Sequence, residues 1–212
     1  MELAFDRVEP APLRGQTAHS QVWGRAIVFP AGSRTVVRAP SGAGKTTLIS
    51  ILYGLRSDYA GRIRLDGRDL RELGITEWAL LRRRRLGLVP QDLQLFDDLT
   101  AWENVELKNR LTRHRARQAV EGWFERLGVG GLQRRPAGTL SLGQRQRVAL
   151  IRALCQPFEM LLLDEPFSHL DEDNTRRAID LVEAECAGGG AGWVLTSLAG
   201  DRGLAGERVM DL

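Results

Sequence analysis

The segment RAPSGAGKTT, residues 38–47, constrains the fold more than any other stretch of this chain. It follows the apolar run TVV and opens a helical pattern carrying Leu48, Ile49, Leu52 and Leu55, with Gly54 near its end. Small residues at such a place let backbone N–H groups curl around phosphate oxygens. The helix N-terminus adds unpaired donors and the positive end of its dipole. Ala39, Pro40, Ser41, Gly42, Ala43, Gly44, Lys45, Thr46 and Thr47 are therefore the expected phosphate-binding residues. Lys45 would reach the β and γ phosphates of a nucleotide, and the Thr46 hydroxyl would ligate Mg²⁺. A plain glycine-rich turn would account for Gly42 and Gly44, but not for Lys45-Thr46 at this offset. The full pattern has glycine where this chain has Ala39, and a positive φ there would cost alanine about 1 kcal/mol.

The rest of the chain reads as strands alternating with helices. LAFDRV, VWGRAIVF and TVV are β segments near the start, with a turn at Pro30 to Gly32. RIRLDG alternates as an edge strand does, and LGLVP is a short apolar strand running to Gln91. From about Asp92 to Leu154 the pattern is helical, broken at GVGGL and RRPAG. MLLL is then a buried strand, DNTRRAIDLVEAEC a helix, GGGAG a turn, and WVLT and RVMDL the closing strands. This order predicts a largely parallel sheet covered on both faces.

At 212 residues and 43% hydrophobic, the chain supports one large domain, or one domain with an inserted lobe. No apolar run approaches the roughly 18 residues needed to span a bilayer. The start MELAFDRVEP lacks a basic region followed by an apolar stretch. A cytoplasmic or peripherally bound protein is the expectation. The net charge of +3 does not point to nucleic acid, and the run Arg82 to Arg85 reads as a solvated helix face. Cys155 and Cys186 are too few and too far apart for a disulfide scaffold or a metal site.

Two further segments carry chemistry. MLLLDEP, residues 160–166, sets Asp164 and Glu165 directly after a buried strand, where an open α/β sheet binds its ligands. Asp164 is suited to hold Mg²⁺ through water, and Glu165 to polarise an attacking water. LSLGQRQRVALIRAL, residues 140–154, reads as a helix with Ser141 as N-cap and Gln144 completing a capping box. Val148, Ile151 and Leu154 form its buried stripe. A capped helix N-terminus with an exposed serine and glycine is also an anion site, able to receive a γ-phosphate presented by another subunit.

In these segments and their order, the chain resembles the nucleotide-binding domains of ABC transporters over essentially its whole length. LSLGQRQR is similar to the family signature LSGGQxQR, APSGAGKTT to its Walker A and LLLDEP to its Walker B. Gln91 in VPQDLQLF matches the Q-loop glutamine, and SHLD, residues 168–171, the D-loop. The resemblance implies an α/β P-loop NTPase fold: a RecA-like core with an antiparallel β subdomain, plus an inserted helical lobe. The core would comprise residues 1–91 and 155–212, and the lobe residues 92–154. It implies ATP and Mg²⁺ as cofactors, with Thr46, Gln91 and Asp164 around the metal and Lys45, Gln91 and Glu165 in catalysis. It also implies two such subunits closing head to tail around two ATP molecules. Ser141, Gly143, Gln144 and Asp171 of one would complete the site of the other, and the cycle would drive a separate integral membrane permease from the cytoplasmic face. LDGRDLRELGITEWALLRRRRLGLVPQDLQLFDDLTAWENVEL is most similar to the group of lipoprotein-release, macrolide-export and FtsE-type ATPases. In LQLF and LTAW, Leu93, Leu95, Phe96, Leu99 and Trp102 are candidates for permease contact.

The chain departs from the family at four places. Ala39 replaces a Walker A glycine, and Leu142 replaces the first signature glycine. EPAPLRGQT offers no aromatic to stack on adenine, for which His19 and Trp23 are poor substitutes. Ser197, in WVLTSLAGD, stands where the family has its switch histidine; serine can bond phosphate but carries no imidazolium charge. His169 reads as a variable D-loop side chain. An ATPase motor subunit is the leading expectation. The alternative is a nucleotide-gated coupling module that binds ATP and dimerises but turns over slowly, favoured by Ser197 and Ala39. Soluble ABC proteins of DNA repair or translation are disfavoured, since such chains usually carry two cassettes or long insertions.

Overall fold

The computed structural model describes residues 1–198 and 208–212. The strands are β1 (Leu3–Pro10), β2 (Ala26–Phe29), β3 (Arg34–Arg38), β4 (Tyr59–Leu65), β5 (Arg68–Asp69), β6 (Leu86–Val89), β7 (Met160–Asp164), β8 (Gly192–Ser197) and β9 (Arg208–Asp211). The helices are α1 (Lys45–Leu52), α2 (Ile75–Arg84), α3 (Ala101–Thr112), α4 (Arg117–Arg126), α5 (Leu142–Leu154) and α6 (Glu172–Gly189). The strands form two sheets. One is antiparallel, in the order β2-β1-β4-β5; the other is five-stranded, in the order β6-β7-β8-β3-β9, with every pairing parallel.

The parallel sheet is buried on both faces, and the alternation along β7 shows how. Leu161 and Leu163 pack with α3 to α6, while Met160 and Leu162 face α1, α2 and the antiparallel sheet. A continuous apolar run is what such a strand requires. In α5, Val148, Ile151 and Leu154 are fully buried and join the same core as β7 and β8. The helical segment therefore has no separate core of its own. Cys155 and Cys186 are buried there too, and burial pushes both thiols up to about 12.

Several local expectations change. In VWGRAIVF only Ala26–Phe29 is strand, because Val22 and Trp23 turn into the core, where Trp23 stacks on Phe5. RIRLDG keeps an open edge only in part, since Arg64 and Leu65 pair with β5. GGGAG is less turn than helix end: α6 runs through Gly189, and Gly190 terminates it at φ 64. Leu55 lies past the end of α1 and is exposed. The arginine run is not a simple solvated face. Arg82 donates to the Tyr53 and Gly54 carbonyls, and Arg85 pairs with Glu159 and Asp66. The Arg82 guanidinium closes off the carbonyl end of α1 and that of Arg85 bridges two carboxylates, roles that a lysine could not fill bidentately. Among the described residues, no helix is long and apolar enough to cross a membrane.

Because α5 shares its core with the sheet, Ile151→Ala should destabilise the whole chain by about 2 to 5 kcal/mol. Urea unfolding followed by far-UV dichroism and by tryptophan fluorescence should show one coincident transition, shifted in midpoint. Two separate transitions would show that the helical segment folds independently.

Candidate functional site

The ladder register brings the expected residues to one edge. Arg38 pairs with Ser197, and Asp164 with Thr196, so the carboxyl ends of β3, β7 and β8 end level. The phosphate loop leaves from β3 there, as open α/β sheets position ligand sites. Gly42 and Gly44 take φ values of 83 and 97, which only glycine accepts readily. Ala39 does not need that freedom: it is not among the positive-φ residues, so the anticipated strain is absent. Its N–H instead donates to the Ser197 carbonyl at 3.2 Å, tying the loop to β8.

Lys45 is only 5% exposed, and its ammonium donates to the carbonyls of Ala39 at 2.8 Å and Pro40 at 3.0 Å. It also pairs with Glu165 at 3.2 Å. The loop thus wraps its own cation and holds the carboxylate beside it. Thr46, the next residue, donates its hydroxyl to Gln91 Oε1 at 3.0 Å. Asp164 is 2% exposed and accepts from the Thr196 hydroxyl at 2.7 Å. Burial pushes the Asp164 carboxyl above the usual carboxylate range, opposed by hydrogen bonds from Thr196 and Thr46. Glu165 sits at φ 48, a left-handed conformation costly for glutamate, with its N–H held by the Thr196 carbonyl at 3.2 Å. Thr46, Gln91 and Asp164 together form a hard-oxygen set with a single carboxylate. That donor chemistry suits Mg²⁺, which commonly takes one or two protein oxygens and fills its shell with phosphates and water.

Ser141 caps α5 as expected. Its Oγ accepts from the Gln144 N–H, and Gln144 Oε1 accepts from the Ser141 N–H at 2.9 Å. The Ser141 hydroxyl hydrogen is left available for a further acceptor. The signature helix is also bound to the D-loop. A Cβ on Gly143 would stand 2.8 Å from the His169 carbonyl oxygen, so this glycine is required by close packing. Gln146 donates to the Ser168 hydroxyl at 3.0 Å and accepts from the His169 N–H at 3.2 Å. Arg147 spans the Gly143 carbonyl and the Asn174 side chain, and Asn174 in turn binds Asp171 through two bonds of 2.8 Å. The Asn174 N–H, with its side-chain amide, holds the Asp171 carboxyl below the usual range.

Two sets of expected residues meet within one chain: the loop residues 39–47 with Gln91, Asp164, Glu165 and Ser197, and Ser141, Gly143 and Gln144 with the turn before Asp171. Ser197 reaches the site edge, but its hydroxyl donates to the Leu198 carbonyl at 2.8 Å. The end of WVLTSLAGD lies outside the described residues. Trp23, 2% exposed, has no free face for a base; beside the loop stands Leu13, against Gly44. Of the five permease-contact candidates, Leu93 and Leu95 are buried, Leu99 is half-buried, Trp102 packs on Phe124, and Phe96 is the exposed one at 58%. Gln146, Arg147 and Asn174 are structural members of the site that were not singled out. Gln146 and Arg147 stand inside the quoted LSLGQRQR motif, but their partners in SHLD and α6 are visible only once the chain is folded.

A phosphate loop at the end of a parallel strand, an acidic pair on the neighbouring strand and a capped LSLGQ helix define a P-loop ATPase of the ATP-binding cassette class. The model of the family described as ABC transporter matches residues 26–168, and the chain belongs to that family as an ATP-binding, ATP-hydrolysing cassette. It is 34% identical over 187 residues to the lipoprotein-releasing system ATP-binding protein LolD of Chromohalobacter salexigens, covering 86% of this chain and 78% of that one. It is 43% identical over 168 residues to the Fe(3+) ions import ATP-binding protein FbpC 1 of Rhodococcus jostii, covering 77% of this chain but 47% of that one. Among solved structures, the dimeric MJ0796 bacterial ABC transporter cassette superposes with a TM-score of 0.83 at 26% identity, over 99% of this chain and 94% of that one.

The Gly143 contact is open to direct test. Gly143→Ala should push the signature helix away from the D-loop and reduce ATPase turnover by about 10²-fold, the effect of a misplacement near 1 Å. Steady-state phosphate release would measure it, and a variant within a few-fold of the parent would show that the contact does not set site geometry.

Proposed function

We propose that two copies of this chain close around two ATP molecules and power a separate integral membrane permease. The second subunit is most simply an identical one, and nucleic acid has no part. The observation that carries this reading is the division of phosphate-binding groups. Lys45 and the loop residues 39–47 offer one half, and the Ser141 hydroxyl with the N-terminal turn of α5 offers another. On this reading Ser141, Gly143, Gln144 and Asp171 of one copy complete the site of the other, and Ser197 lies at the edge of its own. The dimeric MJ0796 cassette supports this arrangement. Thr46, Gln91 and Asp164 would hold Mg²⁺, which supplies charge neutralisation to the phosphates when bound. Glu165 would accept the proton of the attacking water, and its left-handed backbone aims the carboxylate at the loop. Lys45, at hydrogen-bond distance from that carboxylate, would steady both groups.

Permease coupling follows from the placement of Gln91. An open cleft of about 480 Å³ is lined by Leu55, Leu88, Pro90 and Gln91 on one side, and by Thr46 and Asp164 beneath. A helix seated there would touch Gln91 and, through it, Thr46. The chain would then act peripherally, at the cytoplasmic face of the membrane that holds its partner. The names of the relatives, a lipoprotein-releasing protein and an iron-import protein, describe different cargoes. The chain spans about half of the latter's length, so cargo belongs to the complex rather than to this cassette.

Lys45→Ala removes the loop's only cation and should abolish measurable ATP binding in isothermal titration; unchanged affinity would overturn the site. Glu165→Gln should retain binding, lower turnover by about 10²- to 10⁴-fold, and accumulate an ATP-dependent dimer in size-exclusion chromatography. Parental turnover in that variant would remove Glu165 from the mechanism.

A further inference from the structure

We propose that His169 of one copy donates a hydrogen bond to the γ-phosphate held by the other copy, supplying the histidine contact that Ser197 does not make. This inference rests on the two-copy reading above. The chain contains three histidines. His19 lies in the segment between β1 and β2, and His114 between α3 and α4. Only His169 touches an element of the site. Ser197 is shorter than a histidine, and its hydroxyl donates to the Leu198 carbonyl.

The hydrogen bonds around His169 fix which side of its ring is taken up within the chain. Gln146 is 3% exposed, and its Oε1 accepts from the His169 backbone N–H. That bond sets the orientation of the amide, so its NH₂ faces Ser168 Oγ at 3.0 Å and His169 Nδ1 at 3.5 Å. Ser168 Oγ accepts from the amide and lies 2.8 Å from His169 Nδ1. Both neighbours stand on the Nδ1 side of the ring, so Nε2 is the nitrogen left to meet a ligand. Among the described residues Nε2 has no hydrogen-bond partner, and the side chain is exposed. The result is an imidazole held through its Nδ1 side beside a buried amide, with Nε2 displayed outward.

Its position matches the need. The His169 carbonyl packs against Gly143, one residue pair from the Ser141 hydroxyl offered to the partner's nucleotide. The turn that carries it is anchored by Phe167 and Leu170, both buried in the core. A histidine displayed beside the signature serves the partner's site, just as the signature itself does. In hydrolysis, the water oxygen joins the γ-phosphorus as the bond to the β–γ bridging oxygen breaks. The bridging oxygen keeps the electron pair and the water proton passes to Glu165. His169 transfers no proton; its Nε2–H stabilises charge on a γ-phosphoryl oxygen as the bond breaks.

The test combines kinetics with a direct probe of Nε2. His169→Ala should lower kcat about 10²-fold with KM within about twofold, the pattern of a contact made mainly in the transition state. His169→Gln, which keeps an N–H donor, should retain more activity than His169→Ala. Adding Ser197→His to His169→Ala should recover most of the loss, because a donor is restored from the other side of the phosphate. A purely structural histidine would not be rescued from position 197. In the Glu165→Gln protein, the His169 Nε2–H proton resonance should move downfield and become protected with ATP, but not with ADP. If His169→Ala keeps kcat within about threefold of the parent, or loses activity that Ser197→His cannot restore, the proposal is overturned. Failure of His169→Ala to dimerise in the Glu165→Gln background also overturns it, assigning the residue to packing. Failure of the Glu165→Gln protein itself to dimerise with ATP overturns the two-copy reading, and the His169 proposal with it.

Discussion

The site depends on a carboxylate that water scarcely reaches. An ionised group at 2% exposure is expensive to bury unless fixed dipoles replace its hydration. For Asp164 the replacement comes first from the Thr196 hydroxyl on the neighbouring strand, at 2.7 Å, with Thr46 of α1 beside it. That requirement sets the register of β7 against β8, since a shift by one residue would put Leu195 where Thr196 stands. It also holds the phosphate loop near the acidic strand end, because Thr46 belongs to both. Thr196 then holds Glu165 through its carbonyl, so one threonine orders both acids.

A second set of bonds joins the signature helix to the D-loop. Gln146 and Arg147 lie one turn into α5 and reach outward to Ser168, His169 and Asn174. Burial pushes the Arg147 guanidinium down, while Asp171 opposes that effect. The two segments are therefore tied together by side-chain hydrogen bonds from both residues. Since α5 shares the core of the parallel sheet, the signature helix packs in the same layer as β7, the strand that ends in Asp164.

The features legible in the sequence were the local ones. The phosphate loop, the Ser141–Gln144 capping box and the apolar run of β7 are each written within a dozen residues, and the periodicities of helix and strand extend them into an alternating α/β order. The rest depended on contacts between distant segments. Gln146 meets the His169 side chain across 23 residues, and Arg82 meets Gly54 across 28. A glutamine and an arginine in a helical pattern read as solvated until that neighbour is known. Trp23 shows the same limit in reverse: an aromatic near the expected base site belongs to the core, because Phe5 lies across the sheet. Whether Ala39 would carry strain turned on its backbone dihedral, which the motif alone does not reveal and which is not a positive φ.

The two thiols lead to a practical property. Cys155 and Cys186 are the chain's full complement of cysteine, and both are buried with their ionisation pushed up to about 12. Thiolate is the nucleophilic form, so neither competes for maleimide or iodoacetamide at neutral pH. The native sequence is already a silent background for site-specific chemistry. A fluorophore, spin label or crosslinker attached through one introduced cysteine would report from that position alone, without first stripping the protein of its own sulfur.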